Sequence, residues 1–312
     1  MNKVYRVIWS HAQQQFIAVS EAIPTRRSGL RAATGVIPSV RSGWNALRLA
    51  AALALGWMLV PSAQALDPQA LPGGGQVRAG QAGFSGGNGY LQIDQSSQRA
   101  AIDWQSFNVG RDAHVHFAQP GADAATLNRV TGQDPSQVLG RMTAPGQVFL
   151  SNRNGVFFGR GARVDVGSLV ATTHTLAIDD FMAGDLRFQR DGAEGRVVNA
   201  GEIRARLGGY IALLAPEVRN EGVLIARKGT VALAAGEVIE LRLDPRQQLA
   251  ALRVEAGDWA ALVENRHVIE AEEGVVILSA RAAQSLQSSV IRQSGSIRAR
   301  GIRREGGRIL LD

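Results

Sequence analysis

Cysteine is absent from the 312 residues, which excludes disulfides and thiolate metal sites. Aromatic residues make up only 5% of the chain, while glycine occurs 36 times. That combination favours many turns and narrow side-chain layers over a thick aromatic core. A long hydrophobic run is also missing. The longest, Leu49 to Val60, has 12 residues, short of the roughly 20 that span a bilayer as a helix. The formal charge of +7 is not a basic stripe either. Residues 1–65 hold seven basic residues and one acidic, and the remainder holds 27 basic and 26 acidic. A near-neutral body lacks the electrostatic footprint of phosphate binding, so no nucleic acid is expected as a partner.

What stands at the N-terminus is a leader. Arg48 precedes the apolar run, and Pro61-Ser62-Ala63-Gln64-Ala65 follows it. Basic residue, apolar stretch and an A-x-A site at Ala63 and Ala65 come in the order of a secretory signal peptide, with cleavage after Ala65. A buried core helix would not need that order. About 40 residues precede the apolar run, more than a simple signal peptide uses. They include Met1-Asn2-Lys3-Val4-Tyr5-Arg6-Val7-Ile8-Trp9 and Ala18-Val19-Ser20-Glu21. This run resembles the extended signal-peptide region of large surface proteins exported by two-partner and autotransporter pathways, with Ser10 where that family usually has Asn. An exported chain is free to form disulfides, so the lack of cysteine fits one that stays unfolded until late.

From about residue 195 the chain repeats. Asn199, Asn220 and Asn265 are each followed by an aliphatic residue four positions on (Ile203, Leu224, Ile269) and by Ala six positions on (Ala205, Ala226, Ala271). A second short apolar strand follows after Gly. A weaker copy starts at Gln293. The interval of 21 residues from Asn199 to Asn220 matches one turn of a β-solenoid, and the 45 from Asn220 to Asn265 are close to two. Each strand pair is too small to bury its own apolar face, so successive turns must stack about 4.8 Å apart. Helical repeats have longer periods. The expectation is an all-β, right-handed parallel β-helix of roughly 10 turns over residues 66–312, with an N-terminal β cap from Leu66 to about Asp94 and extra-helical hairpins. Gly86-Gly87-Asn88-Gly89 predicts a hairpin turn, Phe181 to Gly195 a projecting hairpin, and Asp258 to Leu262 a short helix capped by Asp258. No flexible linker divides 66–312. No cap is visible after Ile309-Leu310-Leu311-Asp312, so the last strand edge is expected to be open, in a truncated gene, a fragment or a short exoprotein completed by another chain.

Motifs of catalysis are present in letters only. Gly83-Phe84-Ser85-Gly86-Gly87 matches G-x-S-x-G, but no helix follows, and that motif works only at a strand-to-helix turn. His114 and His116 face one side of a strand, yet no third ligand lies at a recognisable spacing. Asp94, Asp103, Asp112, Asp134 and Asp165 are scattered, where a polysaccharide-cleaving β-helix would need a convergent pair. No enzyme, metal or cofactor is expected.

Three signatures carry a resemblance. They are Asp103-Trp104-Gln105-Ser106-Phe107-Asn108-Val109-Gly110, Leu127-Asn128-Arg129-Val130-Thr131-Gly132, and Val148-Phe149-Leu150-Ser151-Asn152-Arg153-Asn154-Gly155-Val156. Together they resemble the secretion domain of filamentous haemagglutinin-type two-partner exoproteins, nearest the high-molecular-weight adhesin branch. The family's Asn-Pro-Asn-Gly turn stands here as Asn152-Arg153-Asn154-Gly155. Arg in place of Pro loses a pre-set φ and so loosens the turn without abolishing it. The family's Asn-Pro-Asn-Leu motif has no clear counterpart. The resemblance implies that Asp103, Trp104, Phe107, Asn108 and Asn128 support the fold, and that the Asn152 turn shapes what a transporter recognises.

The same resemblance implies passage by the general export machinery. It further implies recognition in the periplasm by the periplasmic domains of a dedicated outer-membrane β-barrel transporter, and folding at the cell surface or outside. The exoprotein would be an adhesin or haemagglutinin with a host or neighbouring-cell surface ligand. Alternatives are a β-helical polysaccharide-active enzyme, or the N-terminal fragment of a contact-dependent toxin or haem-acquisition exoprotein.

Overall fold

The computed structural model describes residues 5–10, 15–20, 65–257, 260–282, 290–299 and 308–311. The chain separates into two units, residues 1–63 and 64–312. In the first, Tyr5–Ser10 and Gln15–Ser20 pair antiparallel. The apolar run and Ala63 lie outside the described residues.

The second unit is a parallel β-helix with three faces. On the first face eight strands stack in parallel: Tyr90–Gln95, His114–Ala118, Arg141–Ser151, Arg163–Thr172, Glu202–Ala205, Val223–Ile225, Val268–Glu270 and Ser296–Arg298. The second face runs through Arg99–Trp104, Ala125–Val130, the C-terminal halves of Arg141–Ser151 and Arg163–Thr172, then Tyr210–Leu214, Thr230–Ala235, Val275–Ala280 and Arg308–Leu311. The third comprises Ser136–Val138, Val156–Phe158, Arg196–Asn199, Glu217–Asn220, Leu262–Asn265 and Val290–Gln293. The N-terminal cap is antiparallel. Gln76–Ala79 pairs with Arg99–Trp104, and Ala82–Gly87 with Tyr90–Gln95. Asn88 (φ 49°) and Gly89 (φ 77°) make the hairpin turn between the last two, as Asn-Gly is suited to do.

The repeated letters have stacked counterparts. Ile203, Leu224 and Ile269 lie one above another and are fully buried. Asn199, Asn220 and Asn265 form an internal amide ladder. Asn199 Nδ2 donates to Asn220 Oδ1 at 2.8 Å, Asn220 Nδ2 to Asn265 Oδ1 at 2.7 Å, and Asn265 Nδ2 to Gln293 Oε1 at 2.9 Å. Each buried amide is thus paired, as a low-dielectric interior demands. Gln293, the odd letter of the weak fourth copy, continues the ladder. Glycine also has a reason. At the corner between the first and second faces, a Cβ at Gly209 would lie 2.0 Å from the Gly167 carbonyl oxygen, and one at Gly229 would lie 1.8 Å from that of Gly209. Only a residue without Cβ lets successive turns approach so closely.

Among the described residues the ladder has eight turns where about ten were expected, and the 45-residue interval accounts for part of the difference. Asn220 pairs directly with Asn265, so the interval is one turn carrying an inserted hairpin, Val238–Leu243 with Leu249–Glu255. A second insertion lies between Thr172 and Arg196. It is not the self-contained hairpin expected over Phe181 to Gly195. It holds an α-helix, Ile178–Ala183, that ends at Gly184 in the left-handed conformation. Its strand Leu186–Gln189 pairs antiparallel with Val238–Leu243 of the other insertion. The two insertions therefore build one three-stranded sheet outside the solenoid. The expected helix at Asp258 to Leu262 is corrected in part. Asp258 and Trp259 lie outside the described residues, while Ala260 and Ala261 are not helical and Leu262 opens a strand.

These insertions explain why second-face strands read as unbroken apolar runs such as Tyr210-Ile211-Ala212-Leu213-Leu214, buried throughout. Their inner side chains (Ile211, Leu213) join the solenoid core. Their outer ones (Tyr210, Ala212, Leu214) join a second core with Phe181, Phe188, Ile239 and Val254. A sheet covered on both faces loses its alternating pattern.

Candidate functional site

The strand Arg141–Ser151 ends in Asn152-Arg153-Asn154-Gly155 at the corner leading to the third face. Asn152 is wholly buried. Its carbonyl accepts the Gly155 N–H at 3.0 Å, and its Oδ1 accepts the Asn154 N–H at 3.0 Å. That is an Asx turn inside a β-turn. Asn152 Nδ2 reaches back to the preceding rung, donating to Asp134 O and to Ser136 Oγ, each at 3.0 Å. Asn154 Nδ2 donates to Gly132 O at 2.9 Å. Gly155 has φ 125°, a conformation costly for other residues. Both amides therefore splice this turn to the one before it. Arg153 contributes differently, with its Nη2 donating to Asp191 O at 3.0 Å from the exposed side. Beside the turn opens a groove of about 860 Å³ lined by Arg153, Phe157, Glu194, Arg196 and Arg219 among others.

The other singled-out residues pack in the two preceding rungs. Trp104 Nε1 donates to Asn128 Oδ1 at 3.0 Å, and Asn128 Nδ2 donates to Phe149 O at 3.1 Å, all buried. Phe107 meets the Trp104 ring edge-on at 5.7 Å. Asp103 is held by Arg129 through two hydrogen bonds, at 2.8 and 3.1 Å, and by Arg78 at 2.8 Å. Asn108 Oδ1 accepts the Gln137 N–H at 2.8 Å. The clusters join through one short segment. Thr131 N–H donates to Trp104 O at 2.8 Å, and the next residue, Gly132, receives the Asn154 amide.

The candidates for chemistry are engaged elsewhere. Ser85 lies within a strand and donates to Asp94 at 3.0 Å. His114 Nε2 and His116 Nδ1 both lie 2.8 Å from Thr143 Oγ1. Burial, Arg141 and His116 hold the His114 pKa below its ordinary value. Among the described residues no group of three His, Cys, Asp or Glu side chains could hold a metal ion. Ala65 is the one residue of the expected cleavage site within the described residues.

One residue escaped the sequence reading. His174 is fully buried where the insertions meet the solenoid. Its ring Nε2 lies 2.9 Å from Gly236 O, and Nδ1 has no partner. The ring is therefore neutral with Nε2 as donor, and desolvation pushes its pKa down to about 4. A lone His in Ala171-Thr172-Thr173-His174 carries no local signal of this.

A turn of paired amides, a capped parallel β-helix and outer insertions together define a β-solenoid domain with an extra-helical sheet. Residues 68–312 match the family model described as the TPS secretion domain, and residues 1–52 match the Extended Signal Peptide of Type V secretion system. The chain belongs to the family of two-partner secretion (TPS) domains. It is exported through the periplasm and secreted across the outer membrane to the cell surface, and it is not an enzyme. Over 220 residues it is 36% identical to a heme/hemopexin-binding protein of Haemophilus influenzae, an alignment covering 68% of this chain and 24% of that protein. A second protein of that description from the same species is 39% identical over 111 residues, 36% of this chain and 12% of that one. The chain thus spans about a quarter or less of the curated relatives it matches. The crystal structure of the HMW1 secretion domain from Haemophilus influenzae superposes with a TM-score of 0.67 at 26% identity, covering 77% of this chain and 62% of that one.

Proposed function

We propose that residues 66–312 are the module by which an exoprotein is recognised in the periplasm by the periplasmic domains of its outer-membrane β-barrel transporter. Residues 1–65 act as the cleaved leader, and folding takes place outside the cell. The observation that carries this reading is the match to the secretion-domain family over 68–312. The capped, one-dimensional ladder supports it, since each turn contacts chiefly its neighbours and folding can propagate from one end. Within the module, Asn152, Asn154 and Gly155 act by holding the turn, with Arg153 in place of the family's Pro. Co-expression with the partner barrel is expected to release the processed chain into the medium. Equal release without the barrel would overturn the reading.

For the exoprotein as a whole, a heme- or hemopexin-binding role is supported by relatives at 36% and 39% identity that carry that description. An adhesin role rests on the resemblance to the high-molecular-weight adhesin branch. Retention of the whole secreted exoprotein on hemin- and hemopexin-coated resin, against adherence to epithelial cells, separates the two.

A further inference from the structure

Two motifs of the sequence have no part in the secretion reading, the His114-x-His116 pair and the strand bearing Ser85. They meet on the outer surface of the first face. Val115 and Phe117 are fully buried in the core, so the alternate residues His114 and His116 point out. Both are half-buried, as is Thr143 one rung on. The register explains how two rings reach one atom. His116 stands directly beside Thr143, and His114 beside Arg141. His116 therefore uses its near nitrogen, Nδ1, and His114, placed diagonally, its far one, Nε2. Each lies 2.8 Å from Thr143 Oγ1.

The His114 ring is supported from the rung before. Tyr90 is in register with His114 and meets its ring edge-on at 5.4 Å. Tyr90 Oη donates to Gln92 Oε1 at 3.0 Å, Gln92 Nε2 donates to Asp94 Oδ1 at 2.6 Å, and Ser85 Oγ donates to Asp94 Oδ2 at 3.0 Å. The serine of the G-x-S-x-G letters thus ends a chain of bonds that fixes Tyr90. Every member sits on a paired strand, and side chains on strands are held more precisely than side chains on loops.

Two imidazoles aimed at one point suit a first-row transition ion. The Thr143 hydroxyl has a single proton, so it donates to one ring and accepts from the other. A neutral imidazole carries its proton on either nitrogen, which lets both rings turn a lone pair inward. Metal–ligand bonds of about 2.1 Å at right angles put neighbouring donors about 3.0 Å apart. The two N···O separations of 2.8 Å are close to that spacing. The flanking charges oppose each other, since Arg141 is in register with His114 and Asp165 with Thr143.

We propose that His114 and His116 chelate one divalent ion of the copper–zinc group, with the Thr143 hydroxyl positioning the rings and water completing the coordination. Among the described residues no third His, Cys, Asp or Glu joins them. The site is therefore an open, exchangeable one on the surface rather than a closed structural one.

Isothermal titration of the untagged protein purified from the medium, with copper(II) or zinc chloride, tests this. One ion per chain is expected at this site. His114→Ala and His116→Ala should each raise the dissociation constant at least about tenfold, and the double variant should lose the site. His267→Ala, at another exposed imidazole, should leave it unchanged. Electron paramagnetic resonance of the copper(II) form should show two nitrogen ligands in the wild type and one in each single variant. Circular dichroism checks that each variant folds. A wild type that binds no more tightly than the double variant would overturn the proposal. So would a copper spectrum that neither histidine substitution changes.

Discussion

The indole N–H of Trp104 donates to the side-chain carbonyl of Asn128, 3.0 Å away inside the solenoid, across two adjacent turns. Both partners are buried, and the Asn128 amide passes the connection on to Phe149 O in the third turn. Three rungs are pinned by one side chain. Asn128→Ala leaves the buried indole N–H without its acceptor, at a cost of about 1–3 kcal/mol for a buried unsatisfied group. Urea denaturation should show this loss. A double-mutant cycle with Trp104→Phe should show coupling, since the second change removes the orphaned group. Purely additive effects would contradict a shared bond.

The amide ladder makes a graded prediction. Asn220 sits between Asn199 and Asn265 and bonds both, whereas Gln293 receives a bond from Asn265 alone on its inner side. Asn220→Ala should destabilise by about 2–4 kcal/mol, orphaning groups above and below. Gln293→Ala should cost about 1 kcal/mol or less, because Gln293 is exposed. Equal midpoints for the two variants in thermal melts would refute the ladder as a source of stability.

In the Asn152 turn, replacing Asn152 and Asn154 together by Ala removes the donors to Asp134 O, Ser136 Oγ and Gly132 O. A loss of at least about 2 kcal/mol and a lower secreted yield are expected. Arg153→Pro sacrifices only the exposed bond to Asp191 O, and the pre-set φ should return about 0.4–1 kcal/mol. Protease resistance and yield in the medium measure both. A double-Ala variant secreted and protected like the wild type would remove the turn from the account.

His174 sets a pH dependence. Its folded pKa of about 4 lies below the ordinary 6.5 because burial disfavours the cation. Its contribution is fully present above 6.5 and is lost as pH falls through 4, since the unfolded chain binds the proton first. The shift corresponds to about 3 kcal/mol between pH 7 and pH 4. Unfolding free energies measured at pH 7.5, 5.5 and 4 should fall accordingly, and in His174→Gln that component of the slope should vanish. An unchanged slope would place the acid sensitivity elsewhere.

Much of the solenoid was legible because its rules are local and repeated. Ile203, Leu224 and Ile269 keep a fixed offset from Asn199, Asn220 and Asn265, and stacking identical offsets is what a parallel ladder does. The Asn88-Gly89 turn was legible for the same reason, since two positive φ angles need those residues. The Asn152 turn could be found as letters, but its anchoring to Gly132, Asp134 and Ser136 could not, because the previous rung lies roughly twenty residues back.

By itself the sequence determined the class of this protein: an export leader without cysteine, a period near 21 residues, small side chains and glycine where turns stack. These are properties of single residues or fixed spacings. Only the tertiary structure decided that the interval from Asn220 to Asn265 is one turn with an insertion. It alone decided that Leu186–Gln189 pairs with Val238–Leu243 and that His174 is sealed beneath that pairing. Each of these joins segments separated by tens of residues through burial of apolar surface. That force is non-directional and follows area rather than pattern, so it leaves no period to read in the chain.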